Sequence, residues 1–146
     1  MTLFASYTRE QLRQSYVDAW AKRLARLPQS PLEITIADVI EQHPEYQVLI
    51  SDPGAALNFD VAAEGNENPY LHLGLHLAIR EQISTDRPLG IRKLLFKLEA
   101  RLGEHPAEHC LMDALAETLW DAQRAGIAPD EANYLARASR ALFRNV

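Results

Sequence analysis

Asn68-Pro69-Tyr70-Leu71-His72-Leu73-Gly74-Leu75-His76-Leu77-Ala78-Ile79-Arg80-Glu81-Gln82-Ile83-Ser84-Thr85 sets the helical register against which the flanking sequence is interpreted. Asparagine favours the N-cap because its side-chain oxygen accepts from the free N–H groups of a first helical turn. Proline suits the next position, where no N–H is needed. A helix from Pro69 to about Thr85 is therefore expected. At ~100° per residue, Leu75, His76, Ile79 and Ile83 fall within ~60° of His72, and Arg80 and Gln82 lie on the other side. Two imidazoles one turn apart thus sit on a stripe expected to face the interior.

Working towards the N-terminus, apolar residues keep the same three- and four-residue spacing. Thr8 and Gln11 have capping-box spacing for a helix running to about Leu27, with Leu12, Tyr16, Trp20, Leu24 and Leu27 on one stripe. Pro28 and Pro31 are expected to end it. Ile36, Val39 and Ile40 predict a short helix that stops at His43-Pro44, because a residue before proline is pushed out of the helical region. Pro44 can then open another turn or two through Ile50. The stretch at about 52–67, with Pro53, Gly54 and Gly65, is expected to be a long loop of the lid or binding type. Alternation of Leu57, Phe59 and Val61 allows a short strand in it.

Towards the C-terminus, Asp86 to Gly90 predicts a turn, and Ile91, Leu94, Leu95 and Leu98 predict a helix ending at Gly103. A long helix opens at His105-Pro106, with Pro106 expected in its first position and His105 as its cap. Leu111, Leu115, Leu119 and Trp120 are expected to face inward, and Gly126 closes it. Pro129 begins the last helix, with Asp130 and Glu131 at the positive end of its dipole. The expected fold is an all-α, single-domain helical bundle of about five to seven helices over residues 1–146.

The 146-residue length suits one domain with a self-sufficient core. Hydrophobic residues at 47% and charged residues at 24% describe an ordinary globular balance, which argues against disorder. The single cysteine, Cys110, excludes an internal disulfide and a Cys-based zinc finger. A net charge of −5 weighs against nucleic acid as a partner. No apolar run is long enough to span a membrane, and Met1 to Tyr7 has no signal-peptide character. A cytoplasmic setting is the expectation.

Five histidines include two pairs four residues apart, His72/His76 and His105/His109. Residues so spaced share a helix face, so both rings of a pair can reach one ion. The later helix places Glu108, His109, Met112, Leu115, Ala116 and Leu119 on one side, so His72, His76 and His109 are the expected ligands of a divalent transition metal, Zn²⁺ or Fe²⁺. Glu108 is the expected fourth ligand or water-activating base, with His105 and His43 in reserve. The alternative is an interaction or adaptor module, its histidines satisfied by hydrogen bonds in the core. The string His105 to His109 also matches the inverted zincin motif, but its proline and the absence of a peptidase scaffold leave that match without support. Arg137, Arg140 and Arg144 form a basic stripe suited to solvent or an acidic partner.

The segments His43-Pro44-Glu45-Tyr46, Asn68 to Leu77, Glu81-Gln82, Asp86-Arg87-Pro88 and Glu108-His109 resemble the bacterial domain-of-unknown-function family DUF1841 over nearly the whole chain. That resemblance implies a small bacterial cytoplasmic protein and no particular activity. A looser likeness, in architecture and spacing alone, is to DinB-type metal-binding bundles, where a lone histidine joins a His-x-x-x-His pair. A small molecule or another protein is the expected partner.

Overall fold

The computed structural model describes residues 8–60 and 68–143, which are helical with no strand among them. Eight α-helices are present there: α1 (Arg9–Ala25), α2 (Pro31–Glu41), α3 (Pro44–Ser51), α4 (Pro53–Leu57), α5 (Pro69–Thr85), α6 (Ile91–Leu102), α7 (Glu104–Ala125) and α8 (Glu131–Ser139). A 3-10 turn, Arg140–Phe143, follows α8. The all-α expectation holds, with slightly more helices than expected. The chain divides into two compact units, Met1–Leu77 and Ala78–Val146, and the division falls within α5.

In the first unit, helix starts follow local chemistry. Thr8 Oγ1 accepts from the Gln11 N–H at 3.1 Å, and the Thr8 N–H donates to Gln11 Oε1 at 2.8 Å, completing the capping box. Ser30 and Glu33 repeat this arrangement for α2, so Pro31 opens a helix at its first position rather than closing the one before. α1 instead ends at Ala25, with Arg26 in the left-handed region at φ 56°. Leu24 and Leu27 are exposed and leave the expected stripe.

The expected 52–67 loop is partly helical. Asp52 Oδ1 accepts from the Ala55 N–H at 3.2 Å and Pro53 takes the first position of α4. This cap-plus-proline start outweighs the helix-weakening Gly54. The suggested strand at Leu57 and Phe59 does not form; Val61 and residues 61–67 lie outside the described residues.

Tyr16, Trp20, Ile36, Ile40, Ile50, Leu73 and Leu77 build the first unit's core. Arg13, which the sequence did not mark out, is buried with them. Its guanidinium lies 4.4 Å from the Tyr70 ring centroid, and its Nη1 donates to the carbonyls of Leu57 at 3.2 Å and Phe59 at 2.9 Å. Tyr70 stacks on Tyr16 and donates its hydroxyl to the Ala56 carbonyl. Burial, with Tyr70 nearby, pushes the Tyr16 hydroxyl up to about 12, so it stays a neutral phenol at physiological pH.

In the second unit, Asp86 organises the turn between α5 and α6. Its carboxylate accepts from the N–H groups of Arg92 at 3.0 Å and Gly90 at 3.4 Å. Arg92 returns to the C-terminal carbonyls of α5, donating to Ile83 and Ser84. α7 begins at Glu104 with Gly103 as its cap, so His105 lies inside the first turn rather than capping it. Pro106 is tolerated there because first-turn N–H groups have no intrahelical acceptor. Pro129 precedes the cap of α8, which is Asp130 accepting from the Asn133 N–H at 3.0 Å.

The buried line of α7 runs through Ala107, Leu111, Leu115, Thr118 and Ala122. Trp120 sits ~180° and His109 ~160° round the helix from Leu111. Trp120 and Leu119 are exposed, against the expectation that both point inward. On α5, Gln82 Oε1 accepts from the Tyr134 hydroxyl at 2.6 Å, so part of the helix's polar side serves packing.

Two outcomes follow. A Cβ at Gly74 would meet the Tyr16 hydroxyl at 3.6 Å, an ordinary contact. Gly74→Ala should therefore raise the urea midpoint, with a gain of about 0.5–1 kcal/mol from reduced chain entropy. Hydrogen bonding to the Arg92 N–H, with the Gly90 N–H and the Arg92 charge adding to it, holds Asp86 below its ordinary 3.8. Because the folded-state value is depressed, the carboxylate's contribution is present above pH 3.8 and is lost as pH falls through the folded value. Asp86→Asn, which keeps the left-handed backbone tolerable, should melt earlier than wild type at pH 7, and the two melting curves should converge below pH 3.8.

Candidate metal centre

His43 stands at the break between α2 and α3, with φ −127° and ψ 72°, outside the helical region from which Pro44 excludes its predecessor. Its N–H bonds to the Ile40 carbonyl at 3.0 Å, one residue short of the α-helical partner. The Val39 carbonyl thereby loses its usual i+4 donor, and the His43 ring replaces it: Nδ1 lies 2.7 Å from that oxygen. A carbonyl oxygen only accepts, so Nδ1 carries a proton, and in binding a metal the ring would offer its Nε2 lone pair. The ending of α2 and the tautomer of His43 are one event.

His72 and His76 come from α5, whose first N–H groups are capped by Asn68: Oδ1 accepts from Tyr70 at 3.1 Å and Leu71 at 3.2 Å. His76 is fully buried, His43 is 2% exposed and His72 is half-buried. Ring centroids are 4.9 Å apart for His43–His72, 4.6 Å for His43–His76 and 4.9 Å for His72–His76, all edge-to-face. Tyr46 stacks on the outer side of this group, its ring 5.5 Å from His43 at 11°. Ligand nitrogens of His43, His72 and His76 all lie within 4.8 Å of one another, a cluster that could hold a metal ion.

Nε2 of His43 and Nε2 of His72 are 3.1 Å apart. Two lone pairs at that distance repel, so either a proton or a cation stands between them. Tetrahedral Zn–N bonds of about 2.0–2.1 Å would separate neighbouring nitrogens by about 3.3–3.4 Å, a small opening from the observed spacing. The donor set suits a borderline ion such as zinc or iron(II).

The other expected residues belong to the second unit. His105 and His109 lie one turn apart on α7 with Nε2 atoms 2.7 Å apart. Oε1 of Glu108 accepts from Nε of Arg80 at 3.1 Å, with both side chains largely buried. Cys110 Sγ lies 3.7 Å from the Ala138 carbonyl, a weak contact that fits a boundary packing residue. Sequence reasoning held His43 in reserve, whereas geometry makes it central. The available signal was its place before Pro44, where a helix end leaves carbonyls in need of donors.

A family model described as domain of unknown function (DUF1841) matches residues 8–140. Neither the curated proteins nor the solved structures contain a match to the chain. No helix among the described residues is long and apolar enough to cross a membrane. The match takes in the histidine-bearing helices α5 and α7 and the α2–α3 junction in full, and on that extent the chain belongs to the DUF1841 family.

Proposed function

We propose that the protein binds a divalent transition metal, zinc or iron(II), through His43, His72 and His76. The observation that carries this is the convergence of their ligand nitrogens within 4.8 Å of one another, with His43 Nδ1 already committed to the Val39 carbonyl. Such an ion, held by neutral imidazoles, would keep its positive charge and could act as a Lewis acid or lower the pKa of water. His109 and His105 belong to the proposal on their i, i+4 spacing, as a further ligand and its reserve. Glu108 enters it as a fourth ligand or base, although Arg80 already holds one of its oxygens.

A second interpretation, a histidine cluster that only supports an interaction module, rests on one observation. Among the described residues no buried side-chain nitrogen or oxygen lacks a hydrogen-bond partner. It makes the cluster metal-independent.

Untagged protein should carry about one zinc or iron per chain by mass spectrometry, and chelator should lower its Tm. Restoring free metal to a hundredfold excess over Kd should return about 2.7 kcal/mol of stability, several degrees in Tm. In His72→Ala and His76→Ala the metal-dependent increment should vanish. His109→Ala should lower metal content if His109 is a ligand, and full retention would leave the first unit's histidines as the ligand set. Substoichiometric metal with a chelator-insensitive Tm would reject the proposal in favour of the structural cluster.

A further inference from the structure

A cavity of about 580 Å³ opens in the second unit between α7 and the segment formed by the end of α8 and the 3-10 turn. That volume lies within the ordinary range of small-molecule sites. Part of its lining is apolar, with Leu102 and Ala141 contributing, and its charge is segregated by element. α7 supplies Asp113 and Glu117, which continue the one-turn spacing of His105 and His109 along the same side of the helix. The facing segment supplies Arg137 and Arg140.

Arg137 is anchored: Nη1 donates to Thr118 Oγ1 at 3.2 Å and Nη2 to the Asp121 carboxylate. Among the described residues neither Asp113 nor Glu117 forms an ion pair with Arg140. Both signs are therefore presented to whatever enters. A wholly anionic ligand would meet two carboxylates, and a wholly cationic one the Arg140 guanidinium. Only a ligand with separated opposite charges meets both walls favourably.

We propose that this cavity binds a small zwitterion of the short-peptide class. The ligand's ammonium group faces Asp113 and Glu117, and its carboxylate faces Arg140, whose planar fork matches a carboxylate in two-point contact. Its uncharged middle lies against the apolar part of the lining. His105 and His109, the second-unit histidines of the metal proposal, also line this cavity, so the test below changes only Asp113, Glu117 and Arg140, none of which that proposal uses.

Titration calorimetry of the full chain with trialanine, its N-acetyl form and its C-terminal amide tests the assignment. Trialanine should bind, and blocking either end should weaken it at least about tenfold, which is about 1.4 kcal/mol. Arg140→Ala should weaken trialanine by a similar factor while leaving the amide's affinity where it was. The double variant Asp113→Asn, Glu117→Gln should abolish discrimination between free and acetylated amine. All three positions are exposed, so each variant should keep the wild-type Tm. No heat with millimolar trialanine, equal affinity for all three peptides, or an Arg140→Ala loss shared equally by acid and amide would overturn the proposal.

Discussion

The bond from the His43 ring to the Val39 carbonyl is the constraint from which the candidate site follows. Helix α2 must stop because His43 precedes Pro44, and stopping displaces the N–H that Val39 would otherwise receive. Val39 is itself buried, so an unpaired carbonyl there would cost roughly 1–3 kcal/mol. A histidine at position 43 solves this with its own side chain. The solution commits Nδ1 to the backbone and turns the remaining lone pair towards α5. A residue type with a single polar end could satisfy Val39 or face His72, but not both.

Helix α5 supplies the complementary half. Asn68 and Pro69 start it at a defined residue, which sets the rotation of His72 and His76 about the axis. Leu73 and Leu77 then press the same helix into the core beside Tyr16 and Trp20. Imidazole positions are thus fixed by apolar packing and capping. A core of this extent separates the first unit from zinc-finger-like domains, which are unfolded without their ion. Hydrogen bonds among neutral rings contribute on the order of 1 kcal/mol each, against about 10–16 kcal/mol apparent for a structural zinc site in small peptides. An ion would dominate the local energetics while the fold stands on its core.

Much of the architecture could be read from residues alone because its signals are local. Thr8 and Asn68 each mark a helix start by a side-chain acceptor, and Gly103 and Gly126 mark ends by positive-φ backbone, whereas the Ser30 cap escaped because Pro31 was expected to close a helix. What escaped was decided by rotation and by partners distant in sequence. On α7, Leu111 and Trp120 are both large and apolar, but Leu111 is buried, with Ala107, Met112, Ala114, Leu115, Thr118 and Ala122, and Trp120 is exposed. Small residues at 107 and 118 carry no hydrophobic signal, so the stripe was drawn too far round towards Leu119. Arg13 escaped for a related reason: its acceptors, the carbonyls of Leu57 and Phe59, are more than forty positions away. His72 and His76 were legible as a pair, whereas His43 needed the tertiary approach of α2's end to α5.

The character of the ligand set has a consequence for what an ion held there would do. Carboxylates or thiolates would cancel a dication's charge within the site, but imidazoles of the His43 tautomer are neutral. Burial of His43 and His76 also places that charge where solvent screens it poorly. An uncompensated dication in such surroundings attracts an anion or a strongly polar ligand, and half-buried His72 marks the side from which one can approach. A site built only to brace the fold would gain by neutralising its ion and closing it off. On the proposed set of His43, His72 and His76 alone, neutral donors with one ring near solvent would suit exchangeable chemistry, whereas Glu108 as a fourth ligand would offset part of the charge.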